Sequence, residues 1–120
     1  MMGLDVLMMS HQAERVHGGL VIITTTAALG RPVRMVLLGK ATVLVRSGDW
    51  QAGLIGDIPA DMANLRASCG DLAVEVYVCE TGLAVCDMRE QDLDADLGVR
   101  LTSLPTFLAG GMDGRQWLTI

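Results

Sequence analysis

The chain has 120 residues, which predicts one domain over residues 1–120 with a substantial core. Its 9 basic and 14 acidic residues give a net charge of −5, which argues against nucleic acid as a partner because a phosphate backbone needs a basic surface. The aromatic residues are 2 Trp, 1 Tyr and 1 Phe, too few for a platform on which bases stack.

Apolar residues make up 51% of the chain, and its mean hydropathy of +0.41 is high for so short a protein. A small monomer cannot bury all of that surface, so we expect a homo-oligomer, a dimer or a trimer, with one face of Gly18–Leu29 against another subunit. The longest weakly polar stretch, Gly18–Gly30, contains threonines and is too short to span a bilayer, so no membrane association is expected.

Two features predict a cytoplasmic protein with reduced thiols. Met1–Ser10 lacks the basic start of a secretory signal, and no small-residue cleavage site follows it. The cysteines number 3, an odd count without regular spacing, which is not typical of a disulfide framework.

The first third of the chain predicts a strand followed by a long helix. Leu4–Met9 is a short apolar run typical of a strand. Gln12–Leu29 is predicted as a helix, since Gly30 and Pro32 supply a stop signal. Leu20–Thr26 is β-branched enough to form a strand by propensity alone, but the length of the segment and its stop signal favour the helix.

The middle of the chain continues this alternation of strands and helices. We predict, in order, a strand at Val33–Leu38, a turn at Gly39 and Lys40, a short helix near Ala41–Arg46, a surface connection at Ser47–Pro59 and a helix at Ala60–Cys69 ended by Gly70.

The stretch Leu72–Met88 carries the candidate site. Leu72–Val78 is an apolar, β-branched run that predicts a buried parallel strand, and helical spacing begins at Leu83. Cys79 therefore lies where a strand meets a helix, at the edge of an open α/β sheet where binding sites collect. Helix amides facing its thiol favour the thiolate, the reactive form.

The remaining segments complete the predicted fold. They are an acidic surface stretch at Glu90–Asp96, a strand at Val99–Leu104, a helix at Thr106–Ala109, a turn at Gly110–Gly114 and a strand at Gln116–Ile120. Five short strands alternating with helices predict an α/β protein, a three-layer α/β/α sandwich around a five-stranded, mainly parallel sheet.

The order of these parts resembles the DsrE/DsrF-like family of small sulfur-relay proteins, and within it the branch labelled peroxiredoxin-like or DsrE-like. The pieces that carry the resemblance are Ala27–Gly30, Val76–Cys79, Asp87-Met88, Glu90–Leu93, Gly98-Val99 and Leu104–Leu108. The resemblance implies a compact DsrEFH-like α/β/α fold, assembly as dimers, trimers or hexamers, and a persulfide carried on Cys79.

Other candidate residues have weaker signatures. Cys69 precedes a helix stop and is expected to be structural. Cys86 lies seven residues after Cys79, about 10 Å away along an unbroken helix, which exceeds the roughly 7 Å limit for a disulfide and favours packing. His11 follows the first strand and is a weak candidate for substrate binding at the same sheet edge. Lys40 is another, because its charge near Cys79 offsets that of Glu80.

No metal site or cofactor is expected. His11 and His17 are six residues apart, on different sides of a helix, and no paired-cysteine zinc spacing occurs. Gly39 and Lys40 lack the glycine-rich loop of a phosphate-binding motif.

Two functions remain open from the sequence. The leading hypothesis is a sulfur carrier or sulfurtransferase-like protein that exchanges sulfane sulfur with donor and acceptor proteins through Cys79. The alternative is a non-catalytic oligomeric domain that binds a small ligand or a protein partner at the strand-end cleft.

Overall fold

A five-stranded sheet forms the centre of the fold in the computed structural model, which describes residues 2–111 and 115–120. The strands are β1 (Leu4–Met8), β2 (Val33–Leu37), β3 (Glu75–Val78), β4 (Arg100–Leu101) and β5 (Gln116–Thr119). Their order across the sheet is β4-β3-β2-β1-β5, and every pairing is parallel. The predicted α/β class and parallel sheet are confirmed.

The helices connect these strands. The α-helices are α1 (Ala13–Ala28), α2 (Met62–Asp71), α3 (Glu80–Val85) and α4 (Leu104–Ala109). Short 3-10 helices lie at Gly39–Val45, Trp50–Gly53, Glu90–Asp92 and Ala95–Leu97. The segment predicted as a short helix near Ala41–Arg46 is thus the first of these 3-10 helices.

The two faces of the sheet carry different residues, because side chains alternate along each strand. Leu4, Val6 and Met8 are buried on the face covered by α1, where a methyl group at Gly19 would lie 3.2 Å from Met8 Cε. α2 packs beside α1.

Asp5 and Arg34 are paired in register and point to the opposite face. The ring of Phe107 in α4 lies there, 4.2 Å from the Arg34 guanidinium. Helices therefore cover both faces, as the three-layer prediction requires.

The β-branched segment Leu20–Thr26 is helical, as the stop signal indicated. Its threonine hydroxyls are satisfied inside the helix: Thr24 Oγ1 donates to the carbonyl of Leu20 at 2.8 Å, and Thr26 Oγ1 donates to that of Ile22 at 2.7 Å. Burial of Leu20 and Ile23 against the sheet outweighs the weak helix propensity of the segment.

β3 begins later than predicted, at Glu75 instead of Leu72. α2 continues to Asp71, and Ala73 adopts a left-handed conformation with φ of 57°. That turn lets the amide of Val74 donate to the carbonyl of Cys69 at 3.0 Å, so the first apolar residues of the run close the helix.

β4 is much shorter than the predicted strand Val99–Leu104. Ser103 ends it by capping α4, since its Oγ accepts a hydrogen bond from the amide of Thr106 at 3.2 Å. Pro105 lies in the first turn of that helix, a position where its missing amide hydrogen costs nothing.

Smaller differences affect other boundaries. α2 begins at Met62 instead of Ala60. The ends of the predicted acidic surface stretch are exposed, but residues 92–94 are half-buried, and Oδ2 of Asp94 accepts from Nη1 of the buried Arg66 at 2.9 Å. Residues 112–114 of the predicted turn Gly110–Gly114 lie outside the described residues.

Candidate functional site

Cys79 lies between the end of β3 and the start of α3 and is the N-cap residue of that helix. It keeps extended dihedrals, with φ of −108° and ψ of 158°, and its Sγ accepts a hydrogen bond from the amide of Gly82 at 3.3 Å. The Cys79 thiol thus caps the N-terminus of α3, a role in which a serine hydroxyl is common. This contact confirms the predicted meeting of strand, thiol and helix amide.

A cleft of about 640 Å³ lies at the carboxyl ends of β3 and β4, with Cys79 in its wall. Its lining residues are Leu38, Cys79, Glu80, Thr81, Leu101, Thr102, Ser103, Leu104 and Pro105. The volume is in the range of pockets that hold small molecules, and the position is the one where parallel α/β sheets bind ligands.

The wall of the cleft is apolar and hydroxyl-bearing, with Glu80 as its charged group. The described lining contains no basic side chain. Ser103 is already engaged, because its Oγ donates to Oγ1 of Thr106 at 2.8 Å while it caps α4. Thr102 donates to the carbonyl of Ser103 at 3.2 Å. The cleft therefore presents a thiol and a carboxylate against a largely neutral surface.

Thr42 lies in the 3-10 helix Gly39–Val45, which follows β2 and packs against α3. A methyl group at Gly82 would overlap Thr42 Oγ1 and would lie 3.6 Å from Cys79 Sγ. Glycine is therefore needed at position 82 for the hydroxyl, the helix backbone and the thiol to lie this close. Thr42 is fully buried, and among the described residues its hydroxyl has no hydrogen-bond partner.

The other two cysteines occupy different environments. Cys69 is buried in the core, 3.6 Å from the carbonyl of Leu65, and burial raises the pKa of its thiol to about 11. Cys86 is half-buried at the end of α3 and points to the carbonyl of Gly39 at 3.5 Å. Burial raises the pKa of its thiol as well. Both placements agree with the structural roles expected for them.

The structure does not bring the two weak candidates for substrate binding into the cleft wall. His11 is half-buried after β1, and its carbonyl accepts from the amide of Ile55 at 2.8 Å. Lys40 is exposed in the 3-10 helix after β2. Their participation in binding stays a prediction.

Several residues of this site escaped the sequence analysis. Thr102 and Ser103 were assigned to the interior of a strand, although Ser103 followed two residues later by Pro105 is a pattern typical of a helix start. Thr42 and Gly82 carry no local signal, because their meeting depends on how two distant segments pack.

The comparisons with known proteins rest on structure. No family model matches the chain, and no curated protein matches it. The fold is similar to that of the YchN protein from E. coli, with a TM-score of 0.76, 14% identity and full coverage of both chains. The chain has the DsrE-like fold. The protein of unknown function MTH1491 from Methanobacterium thermoautotrophicum is also similar, with a TM-score of 0.65, 14% identity and full coverage of both chains.

Neither a membrane span nor a metal cluster is found in the part of the chain that the structure describes. Within residues 2–111 and 115–120, no helix is both long and apolar enough to cross a membrane. In the same ranges, no three His, Cys, Asp or Glu side chains come together as metal ligands.

Proposed function

We propose that this protein is a sulfur carrier, with Cys79 as the residue that holds sulfane sulfur as a persulfide. The observation that carries the proposal is the hydrogen bond from the Gly82 amide to Cys79 Sγ, 3.3 Å long, in the wall of a cleft of about 640 Å³. A thiol with both an amide donor and open space beside it can act as a nucleophile and then keep the transferred atom.

The transfer is an exchange of one sulfur atom. The Cys79 thiolate attacks the outer sulfur of a hydropersulfide R–S–SH, a bond forms between Sγ and that sulfur, and the sulfur–sulfur bond of the donor breaks. The thiolate R–S⁻ leaves, and Cys79 now carries –S–SH. One sulfur–sulfur bond replaces another, so the exchange involves no net oxidation and needs no cofactor. Attack by an acceptor thiolate on the outer sulfur of Cys79 completes the relay.

The proposal extends to the family, the partner proteins and the assembly of this chain. Membership of the DsrE/DsrF-like family is supported by the fold and by the position of Cys79 at the end of β3. Donor and acceptor proteins in the cytoplasm would meet the cleft at the sheet edge. Assembly as a homodimer or homotrimer is supported by exposed apolar side chains on α1 and at its C-cap, namely Val21, Ile22 and Leu29.

Polysulfide loading followed by intact-mass spectrometry and peptide mapping tests the proposal. One added sulfur should map to Cys79 and disappear in Cys79→Ser. The matched variants Cys69→Ser and Cys86→Ser should keep it, because of the three cysteines only Cys79 is among the described residues that line the cleft. Labelling spread equally over the three cysteines, or missing from Cys79, would contradict a sulfur-carrier function.

A second candidate function is binding of a small ligand in the same cleft without sulfur transfer. The observation that favours it is the wall itself, since apolar and hydroxyl groups surround a volume suited to a small molecule. A library screen by thermal shift on wild type and Cys79→Ala distinguishes the two functions. A ligand that stabilises both proteins equally supports the binding domain, whereas loss of all ligand effects in the variant supports the thiol chemistry.

A further inference from the structure

The hydroxyl of Thr42 has no hydrogen-bond partner among the described residues, although Thr42 is 0% exposed. Buried polar groups are nearly always paired, since leaving a donor without an acceptor costs free energy. Other buried threonines of this chain follow the rule: Thr24 and Thr26 both donate to carbonyls of α1. An exception beside the candidate site therefore calls for an explanation.

The position of this hydroxyl connects it with the thiol. Thr42 Oγ1 and Cys79 Sγ both lie close to the point where Gly82 would carry a side chain. The 3-10 helix Gly39–Val45 packs against α3 and brings the hydroxyl there. Cys79 Sγ itself is held by the amide of Gly82. Both groups therefore neighbour Gly82, the one residue of α3 that has no side chain.

We propose that Thr42 is a positioning residue for the loaded state of Cys79, its hydroxyl donating a hydrogen bond to the sulfur that Cys79 receives. This inference rests on the proposed sulfur-carrier function. A persulfide extends about 2.05 Å beyond Sγ and carries its negative charge on the outer sulfur, so it supplies the acceptor that the unloaded site lacks. The hydroxyl proton stays on Thr42, and no covalent bond to Thr42 forms or breaks.

The thermodynamic consequence is a preference for the loaded state. The unpaired hydroxyl destabilises the unloaded protein, whereas its new hydrogen bond stabilises the persulfide. Sulfur loading is therefore favoured by an interaction that exists in only one of the two states. A hydroxyl that merely fills space would have no such effect on loading.

Paired variants separate these roles. Thr42→Val keeps the shape of the side chain and removes the hydroxyl, and Thr42→Ser keeps the hydroxyl and removes a methyl group. Each protein is equilibrated with a mixture of cysteine hydropersulfide and cysteine at a fixed ratio, and the loaded fraction of Cys79 is read by intact mass and peptide mapping. Thermal unfolding of the unloaded proteins is measured alongside.

We expect the ratio of loaded to unloaded Cys79 to fall about tenfold in Thr42→Val, the effect of one hydrogen bond to a charged group, and to stay within about twofold of wild type in Thr42→Ser. The Tm of unloaded Thr42→Val should equal or exceed that of wild type, because an unpaired hydroxyl has been replaced by an isosteric methyl. This combination, weaker loading without loss of stability, is specific to a positioning role.

Other outcomes overturn the inference. Equal loading of the valine variant and wild type, or a parallel loss of loading in Thr42→Ser, shows that the hydroxyl does not position the sulfur. A lower Tm together with unchanged loading assigns Thr42 to packing. If Thr42→Val does not fold, Thr42→Ala, which also lacks the hydroxyl, is put through the same loading test. Failure of wild-type Cys79 to load at all refutes the proposed function itself, a result distinct from any difference between variants.

Discussion

Arg34 holds Asp5 through two parallel hydrogen bonds between the neighbouring strands β2 and β1. Its Nε donates to Oδ1 at 2.9 Å and its Nη2 donates to Oδ2 at 2.7 Å. Asp5 is 0% exposed, and Arg115 adds a third contact, from Nε to Oδ1 at 2.6 Å. Since Arg115 directly precedes β5, one carboxylate ties together the strands at this side of the sheet.

Replacing this carboxylate should destabilise the fold strongly. Asp5→Asn keeps the shape but leaves two guanidinium groups without their counter-charge, and breaking a buried pair from one side costs about 3–5 kcal/mol. Urea unfolding should show that loss in the free energy of unfolding, a large part of the stability of a small domain. The control is the exposed Asp57→Asn, expected to change stability by under about 0.5 kcal/mol. Similar effects of the two substitutions would show that the pairing contributes little.

The same carboxylate predicts how stability depends on pH. Burial by itself raises the pKa of Asp5, but the hydrogen bonds and charges of Arg34 and Arg115 outweigh it and hold this pKa below its ordinary value of 3.8. The unfolded chain therefore takes up the proton first as the pH falls. Asp5 contributes its stability in full above pH 3.8 and loses it as the pH falls through the lower pKa of the folded state.

Acid titration of unfolding measures this contribution. Between pH 5 and pH 2, the free energy of unfolding should fall more steeply in wild type than in Asp5→Asn, whereas Asp57→Asn should follow wild type. Parallel curves for wild type and Asp5→Asn would assign the acid sensitivity to other carboxylates.

The three thiols should react in a set order. With burial raising the pKa of Cys69 to about 11, fewer than about one in a thousand of its thiols are ionised at pH 7.5. Burial also raises the pKa of Cys86, which slows its reaction with an alkylating reagent. Cys79, in contrast, lines the open cleft. Timed alkylation with iodoacetamide should modify Cys79 first, Cys86 more slowly and Cys69 only after addition of urea. Early modification of Cys69 in the native protein would contradict the burial described above.

The carboxylate of Glu80 should select among sulfur donors by charge. It lies in the cleft wall, and no basic side chain of the described lining offsets it. An anionic donor such as the thiosulfate dianion therefore meets repulsion of about 1 kcal/mol for each of its unit charges at contact distance in water. Glu80→Gln should raise the loading rate of Cys79 by thiosulfate about threefold to tenfold and leave loading by cysteamine hydropersulfide, whose ammonium and persulfide charges cancel, within about twofold.

Two comparisons control this experiment. Added salt should reduce the difference between wild type and Glu80→Gln, because it screens exposed charges. Glu90→Gln, a neutralisation outside the cleft lining, should leave the thiosulfate rate within about twofold. Equal acceleration of both donors in Glu80→Gln would mean that the residue acts on the thiol and does not select donors.

The exposed apolar stripe on α1 should be a contact between subunits. Ile22 is 45% exposed and Leu29, the C-cap residue of α1, is 70% exposed, and their spacing of seven residues places them on one side of the helix. Light scattering should show a dimer or trimer at micromolar concentration, and the double variant Ile22→Glu, Leu29→Glu should be a monomer. Ile55→Glu, at a side chain 59% exposed outside α1, is the matched control and should keep the assembly. A monomeric wild type would contradict the expectation directly.

The sequence by itself determined the order of the five strands and the four α-helices and the position of Cys79. Apolar runs of strand length, the stop signal at Gly30 and Pro32, and the change from strand to helix after Val78 are local patterns. They report on backbone hydrogen bonding and burial within a few residues of the chain. For that reason Leu20–Thr26 was correctly predicted as helical, and the meeting of the Cys79 thiol with a helix amide could be anticipated.

Only the tertiary structure decided what surrounds that thiol. The late start of β3 and the early end of β4 depend on the turn at Ala73 and the cap at Ser103. At each position, a hydrogen bond that closes or caps a helix replaces one that a longer strand would make. The approach of Thr42 to Gly82 joins segments forty residues apart, and the pairing of Asp5 with Arg115 joins opposite ends of the chain. Such contacts arise from packing, which depends on three-dimensional shape, and no local pattern in the sequence encodes it.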